Sequence, residues 1–368
     1  MCVPRTRTIH ERVLASKAIV TNYSILDLVR VTQETDARGA IDNARDLAAH
    51  AEEWGYERFW VAEHHNIVGI ASAATSIVLG HIAAGTSRIR VGAGGIMLPN
   101  HAPLIIAEQF GTLAQLHPGR IDLGLGRAPG TDQLTVRALR RPVSGVDSFP
   151  QDIIELQGYF SDAAATRQVQ AVPASGTNVP VWILGSSTYG AQLAAELGLP
   201  YAFASHFAPA MLLPALQIYR SRFKPSAQLS RPYAMIGVNV IAAATRAEAR
   251  RLATTQQISF ANVIRGVYGL SKPPIDDIDS YWSPQERIQV SGMLARSIVG
   301  DVDDVRTGIE ALVRETDADE LMIVSDVYHH DQRLRSFEMI ASAMRELKRA
   351  SNGQGYKVGQ SACSLARN

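Results

Sequence analysis

The chain has 368 residues, of which 46% are hydrophobic and 19% are charged, a composition typical of a protein that buries a large apolar core. Its 36 basic and 35 acidic residues leave a formal net charge of +1, so there is no basic field that would bind nucleic acid. No apolar stretch reaches the roughly 18 residues that a membrane-spanning helix needs. The two cysteines, Cys2 and Cys363, form neither a zinc motif nor a disulfide framework, which indicates a cytoplasmic protein.

Short apolar segments alternate with helical segments along the chain. The first strand is predicted over 18–26, and a helix follows over 40–54, where Ile41, Leu47 and Trp54 recur on one face. Further strands are predicted over 58–64, 88–94, 120–126, 179–185, 201–205, 233–243 and 320–325. Further helices are predicted over 72–86, 103–117, 152–160, 189–197, 209–222, 245–260, 301–315 and 332–350.

Eight apolar strands, each followed by a helix, predict an α/β fold in which helices cover a parallel sheet. The count favours a (β/α)8 TIM barrel, and an open doubly wound sheet is the alternative. We expect a single barrel domain over residues 17–350, with an insertion at about 261–300 before the last strand. Residues 1–16 lack the apolar region of a secretory signal and are expected to form a loose extension, and residues 351–368, rich in Gly, Ser and Gln, are expected to be disordered.

Small, polar or charged residues follow six of the predicted strands. In a parallel barrel the carboxyl ends of the strands meet at one rim, where active sites form. These groups are Ser24 and Asp27, then 63–65, 92–95, 124–127, 185–188 and 205–206. We therefore expect a functional site at this rim.

The second predicted strand ends in the sequence VAEHH, residues 61–65. Because side chains alternate faces along a strand, Glu63 and His65 share one face and His64 points to the other. This geometry is poor for a metal ion bound by all three, and no H-E-x-x-H motif is present, so no metal site is predicted. A neutral imidazole at a barrel mouth suits a hydrogen-bond donor or general base, which we assign to His64, whereas His65 could equally serve only to pair with a buried carboxylate.

Two glycine-rich segments could approach a ligand closely. The glycines over 92–95 leave room for a flat ligand, or they form a β-bulge or tight corner of the barrel. The segment GLGRAPG, residues 124–130, lacks the last glycine of a dinucleotide-binding motif, but Arg127 beside glycines suits a phosphate.

The segment GSSTYG, residues 185–190, lies between a strand and a helix. Its Ser186, Ser187 and Thr188 could hold an anion at the helix N-terminus, or they could simply cap the helix. Two phosphate-compatible loops after adjacent strands favour one phosphorylated cofactor. No G-x-S-x-G elbow supports a serine hydrolase.

Several longer segments resemble the bacterial luciferase-like flavin monooxygenases, most closely the YhbW-type flavin-dependent oxidoreductases. They are WVAEHH, VGAGGIMLPNHAP, AEQFGTLAQLHPGRIDLGLGRAPG and WILGSSTYGAQLAAELGLPYAFASHF, and the resemblance extends from about residue 18 to 348. It implies a barrel that binds FMN at its carboxyl mouth. It also implies that reduced FMN, supplied by a separate NAD(P)H-dependent flavin reductase, reacts with dioxygen and that a small organic substrate is oxygenated.

The resemblance also implies roles for individual residues. His64 matches the catalytic histidine beside the reactive flavin edge, and Gly94 and Gly95 match a pair joined by a non-prolyl cis peptide beneath the flavin ring. Ala62 is expected to contact the cofactor too. The residues expected to hold the phosphate are Arg127, Ser186, Ser187 and Thr188.

Three positions depart from relatives in this family. Gly126 stands where the luciferase α chain has a reactive cysteine, so thiol chemistry beside the flavin is not expected. Ser186 replaces a glutamate of that chain, and Arg30 replaces a proline that usually follows the first strand in the closest branch, so the first loop is expected to differ in shape.

Two other functions are compatible with these residues: a deazaflavin-dependent oxidoreductase that transfers hydride without oxygen, and a flavin-binding protein without turnover. The apolar helices beside the second and third strands could support a homodimer, as is common in the family. The substrate pocket is expected at the loop after the seventh strand and at the 261–300 insertion, and the sequence does not identify the substrate.

Overall fold

A computed structural model describes residues 21–128, 130–140 and 148–363, with side chains through residue 349. The extension expected over residues 1–16 lies outside this part of the chain. Within the described ranges, every helix is too short or too polar to cross a membrane.

The described strands form one parallel sheet that closes into a barrel. In chain order they are β1 (Asn22–Asp27), β2 (Arg58–Val61), β3 (Arg90–Met97), β4 (Ile121–Gly126), β5 (Val181–Gly185), β6 (Tyr201–Phe203), β7 (Ala234–Ala242), β8 (Ile298–Gly300) and β9 (Glu320–Val324). They are ordered β6-β5-β4-β3-β2-β1-β9-β7-β8, and pairing of β6 with β7 closes the ring. The predicted (β/α)8 barrel is confirmed: β1 to β7 and β9 are its eight strands, and β8 only extends the far end of β7.

Helices surround the barrel. They are α1 (Ala37–Trp54), α2 (Thr75–Ala84), α3 (Pro103–Leu116), α4 (Gln133–Ala138), α5 (Phe149–Phe160), α6 (Thr188–Leu197), α7 (Leu212–Arg222), α8 (Arg246–Ile264), α9 (Pro284–Met293), α10 (Val302–Thr316) and α11 (His330–Cys363). The Asp36 side chain accepts a hydrogen bond from the Gly39 amide at 2.7 Å, and this N-cap starts α1 three residues earlier than predicted.

Two parts of the chain are more helical than predicted. The insertion contains α9, which begins with a capping box of Ser283 and Glu286. The backbone of α11 is helical through Cys363, into the segment whose composition predicts disorder. Extending an existing helix costs far less than starting one, and this explains how the helix continues into such a sequence.

Each barrel strand divides its side chains between two cores. Phe59 and Val61 of β2 face the helices and join the large outer core. Trp60 and Ala62 face the barrel interior, where Trp60 meets Trp182 edge to face with ring centroids 5.2 Å apart. The alternation expected of a strand is therefore kept along β2 and fixes which residues point into the barrel.

A buried ionic cluster fills the amino-terminal end of the barrel. Arg58 lies 2.8 Å from an Asp122 oxygen and 2.9 Å from a Glu320 oxygen, and both carboxylates are fully buried. Burial opposes the charge on Arg58, but the two carboxylates raise its pKa. Ser24 donates to Glu320 here, so the assignment of Ser24 to the functional rim is wrong: it lies in mid-strand and points to the opposite end.

Candidate active site

The candidate site residues follow, or lie late in, four neighbouring barrel strands. His64 comes three residues after β2, the Gly94–Gly95 pair lies in β3, Arg127 directly follows β4, and residues 186–188 follow β5. The registers that align these strands pair Val61 with Ala93, Gly94 with Gly124, and Leu125 with Ile183. Because β2 to β5 are parallel and adjacent, all of these residues lie on one half of the carboxyl rim.

His64 continues the inward-facing series of β2. Arg58 lies at the closed end of the barrel, Trp60 and Ala62 fill its middle, and His64 is the next residue with the same alternation. Its Nδ1 is buried and lacks a hydrogen-bond partner among the described residues. Burial, followed by the positive charge of Arg30, lowers the pKa of His64 to about 4. The imidazole is therefore neutral at neutral pH and can accept or donate a proton.

The loop after β1 is held by an ion pair. The Arg30 guanidinium binds the Asp326 carboxylate after β9, with nitrogen–oxygen distances of 2.8 and 3.3 Å. Arg30 therefore makes a specific contact between the β1 and β9 loops. The same contact places a cation where it acts on the titration of His64.

Glu63 binds three neighbouring groups at the rim beside His64. Its buried carboxylate lies 2.6 Å from His65 Nε2 and 2.9 Å from His101 Nε2, and it accepts a hydrogen bond from the Met97 amide at 2.9 Å. Burial opposes ionisation of Glu63, but His101, Met97 and His65 together lower the pKa of its carboxyl. The pairing of Glu63 with His65 agrees with their expected shared face. His101 was not predicted, because it lies 38 residues from Glu63 and its sequence context contains no motif.

Glu63, His65 and His101 also offer three metal-type ligand atoms within 4.8 Å of one another. Two imidazoles and one carboxylate could hold a divalent transition metal. In this structure, however, hydrogen bonds already pair both imidazoles with the carboxylate. The hydrogen bonds of this cluster connect the loop after β2 to the loop after β3, which explains why the three side chains lie together.

Glycines remove the inward side chains from the upper half of β3 and β4. A Cβ on Gly94 would lie 2.9 Å from both Leu26 and Trp60, and one on Gly95 would lie 2.6 Å from the Gly124 carbonyl oxygen. The Gly94–Gly95 peptide is cis, and the β3–β4 register shifts at this point. The alternative of a bulge or tight corner is therefore correct for β3. The same bare backbone forms a surface on which a planar group could lie.

Arg127 and the N-terminus of α6 contact each other. The guanidinium carbon of Arg127 lies 4.3 Å from the ring centroid of Tyr189, in the first turn of α6. Ser187 is the N-cap residue of α6, but its side chain makes no capping hydrogen bond, and both Ser186 and Ser187 are exposed. The alternative of simple capping by Ser187 is therefore wrong. A guanidinium, two hydroxyls and the amides of a helix N-terminus together suit a phosphate.

A closed (β/α)8 barrel that gathers titratable, glycine and anion-binding residues at its carboxyl rim has the architecture of an enzyme. The family profile described as "Luciferase-like monooxygenase" matches residues 21–320. The chain belongs to this family, and relatives are named monooxygenases, which are oxidoreductases that incorporate oxygen from dioxygen.

Three relatives give the scale of similarity. A "Luciferase-like monooxygenase" of Escherichia coli (strain K12) is 53% identical over 326 residues, covering 88% of this chain and 97% of its own. The "N-acetyl-S-alkylcysteine monooxygenase" of Bacillus subtilis (strain 168) is 39% identical over 49% of this chain and 56% of its own. The crystal structure of apo-MsnO8 has a TM-score of 0.82 and 33% identity, covering 88% of this chain and 98% of its own.

Two more distant structures share the fold alone. The oxygenating constituent of 3,6-diketocamphane monooxygenase from Pseudomonas putida, a Baeyer–Villiger enzyme in complex with FMN, has a TM-score of 0.64 and 15% identity over 88% of this chain and 97% of its own. An F420-dependent secondary alcohol dehydrogenase in complex with an F420–acetone adduct has a TM-score of 0.63 and 14% identity over 88% and 98%. The fold thus accommodates flavin-type cofactors of both kinds.

Proposed function

We propose that this protein is a flavin-dependent monooxygenase that uses reduced FMN and dioxygen to oxygenate a small organic substrate. The observation that carries the proposal is the contact between Arg127 and the first turn of α6, on the same half-rim as His64 and the Gly94–Gly95 pair. FMN has one phosphate and one planar ring, and this half-rim offers an anion site beside a surface of bare backbone.

Different residues would bind the phosphate and the ring of FMN. Arg127, the hydroxyls of Ser186 and Ser187 and the free end of α6, which begins at Thr188, would hold the phosphate. Ala62 and the backbone of Gly94 would support the ring, because neither places a large side chain above Trp60. In this proposal one FMN molecule would extend across the mouth, with its phosphate at the start of α6 and its ring beside Gly94.

When bound, reduced FMN supplies the electrons that activate dioxygen. One oxygen atom passes to the substrate and the other leaves as water, so reduced FMN, dioxygen and substrate give FMN, oxygenated substrate and water. His64 would transfer one proton of this reaction, because its neutral imidazole carries one N–H donor and one nitrogen acceptor, and burial makes any protonated form short-lived. The buried interior below it excludes water from the reacting end of the site.

Reduced FMN would come from a separate NAD(P)H-dependent flavin reductase. The substrates of two similar proteins suggest where to begin: a relative that covers half of this chain acts on N-acetyl-S-alkylcysteines, and a fold neighbour is a Baeyer–Villiger enzyme, whose chemistry is that of ketones. A thioether and a ketone, with an aldehyde as third compound, therefore make a short panel.

The test combines binding with isotope transfer. Protein is titrated anaerobically with reduced FMN and then exposed to oxygen-18 gas with N-acetyl-S-methylcysteine, cyclohexanone or decanal. We expect saturable FMN binding and oxygen-18 in the product of at least one compound. Arg127→Met should weaken FMN binding by about tenfold or more, since a charged hydrogen bond to phosphate is lost. The matched control Arg137→Met removes an exposed arginine from α4 and should leave binding unchanged.

Two results would contradict the proposal. Tight binding of a deazaflavin cofactor, with no dioxygen consumed, would make the protein a deazaflavin-dependent oxidoreductase. Tight binding of FMN without oxygen-18 transfer to any of the three compounds would indicate a flavin-binding protein without turnover.

A further inference from the structure

A second histidine lies at the mouth on the opposite side from His64. His206 comes three residues after β6, and β6 is four strands from β2 in either direction around the barrel. The two histidines therefore follow diametrically opposed strands. The residues proposed to hold FMN occupy the half-rim from β2 to β5, so His206 belongs to the half that remains.

The imidazole of His206 occupies the space above a glycine of β7. Met235 faces the barrel interior, and Gly237, two residues later, faces the same way. A Cβ on Gly237 would collide with Nδ1 of His206, which is the nearest atom to that position. A glycine in the middle of a nine-residue strand that is buried throughout therefore leaves room for this ring inside the mouth.

Buried polar side chains hold His206 in place. Asn239 Nδ2 donates to the His206 carbonyl oxygen at 2.5 Å, and Gln256 Nε2 of α8 donates to Asn239 Oδ1 at 2.8 Å. Asn239 and Gln256 are each 2% exposed. Ser205 donates to the Gly237 carbonyl oxygen at 2.5 Å, which ties the same turn to β7. This network fixes the backbone of His206 but makes no bond to its ring.

His206 is partly exposed at the mouth, and its Nδ1 faces Gly237 of β7. Nδ1 of His206 is buried and has no hydrogen-bond partner among the described residues. A buried polar atom without a partner is costly, so such an atom on a fixed backbone points to a group that binds there. Burial lowers the pKa of His206 to about 4 even though Asp326 acts in the opposite direction. The imidazole of His206 is therefore neutral at neutral pH and can exchange a hydrogen bond with an uncharged polar atom.

We infer that His206 contacts the organic substrate from the side of the mouth opposite His64, through a hydrogen bond between its ring and an uncharged polar atom near the reacting centre. This inference rests on the proposed function, because the substrate is placed in the half of the mouth that FMN leaves open. The interior beneath this ring is apolar, lined by Trp60, Trp182 and Met235, and it suits a substrate that is uncharged at its reacting end, as a thioether, ketone or aldehyde is.

The test compares two replacements of similar size. His206→Asn keeps a polar atom near the position of Nδ1, whereas His206→Leu fills the space without one. Each variant is measured with the panel compound that the wild-type protein oxygenates. We expect His206→Leu to raise KM, and the dissociation constant of that compound from protein loaded with oxidised FMN, by about tenfold, the value of one hydrogen bond. It should also divert reduced FMN to hydrogen peroxide.

We expect His206→Asn to stay within about threefold of wild type, a partial rescue by a polar atom that a purely structural role would not give. The dissociation constant of FMN should stay within about twofold in both variants, since His206 is not among the residues proposed to hold FMN. His117→Asn is the matched control, because His117 follows α3 at the opposite end of the barrel.

The results with the two His206 variants and with the wild-type protein can each contradict the inference. Wild-type behaviour of both variants, or equal losses in both, would overturn the role of His206. If the wild-type protein binds FMN but oxygenates none of the three compounds, the proposed function fails, and this inference fails with it.

Discussion

The two buried histidines of the mouth give the stability of the protein a specific dependence on pH. The folded-state pKa values of His64 and His206 lie at about 4, below the usual 6.5. Between these values the unfolded chain binds a proton that the folded chain does not. For each histidine, the free energy of unfolding is therefore highest above about pH 6.5 and decreases as the pH falls towards 4.

The size of the effect follows from these two pKa values. At about pH 5, an imidazole is roughly 97% protonated in the unfolded chain but only about 10% protonated in the folded protein, which amounts to about 2 kcal/mol for each histidine. Substituting His206→Asn removes one of these groups. We therefore expect the stability of the variant relative to wild type to improve by about 2 kcal/mol between about pH 7.5 and pH 5.

Equilibrium urea unfolding of both proteins at the two pH values measures this difference. Comparison with the variant cancels the titrating groups that do not interact with His206, such as the cluster around Glu63. A change below about 0.5 kcal/mol would refute the reasoning, because His206 would then protonate in the folded protein nearly as easily as in water. His64→Asn should give a change in the same direction, and because the charge of His64 acts on the pKa of His206, the effects of the two substitutions should be coupled rather than additive.

Three further substitutions test other parts of the structure. Arg58→Met leaves the buried Glu320 carboxylate without a cation, whereas Asp122 keeps Arg90, and should cost about 3 kcal/mol of unfolding free energy, measured by urea unfolding; a cost below about 1 kcal/mol would contradict the buried pairing. Gly124→Ala places a Cβ against the Ala93 carbonyl oxygen and should cost about 3 kcal/mol, whereas Gly292→Ala in α9 meets no atom within 4 Å and should be neutral or stabilising; equal melting temperatures would exclude the steric argument. Glu63→Gln keeps the shape of the side chain but loses an acceptor for several donors and should cost about 2 kcal/mol, with circular dichroism melting as the check and an unchanged midpoint as the contrary result.

The sequence predicts the barrel well because strands buried on both faces are continuously apolar. All eight barrel strands are found close to their predicted positions. The elements that were not predicted are β8, α4 and α9, and each is short or lies in a polar segment. A three-residue strand such as β8 exists because β7 offers it an edge, and that tertiary cause leaves no periodic pattern in the sequence.

The candidate site was predictable only as a set of strand ends. Strand alternation correctly separates His64 from Glu63 and His65, because it depends on local geometry alone. The contact of Glu63 with His101 and that of Arg127 with Tyr189 depend on loops of the folded chain, so spacing in the sequence cannot give them. Ser24 was misplaced for another reason: it lies in the middle of β1 rather than at its end, and its partner Glu320, 296 residues away, lies at the start of β9.

Polar groups at the two ends of the barrel interior differ in whether they have hydrogen-bonding or ionic partners. At the closed end Arg58 has carboxylate partners, whereas the ring of His206 at the mouth has a buried Nδ1 without one. Substituting His206→Leu replaces that unpaired atom with apolar volume, so at about pH 7.5 it should stabilise the protein by about 1 kcal/mol, measured by urea unfolding. Stabilisation together with weaker substrate binding is the result expected when a protein keeps a costly polar group for its function. A loss of more than about 1 kcal/mol would mean that the imidazole is a structural part of the barrel instead.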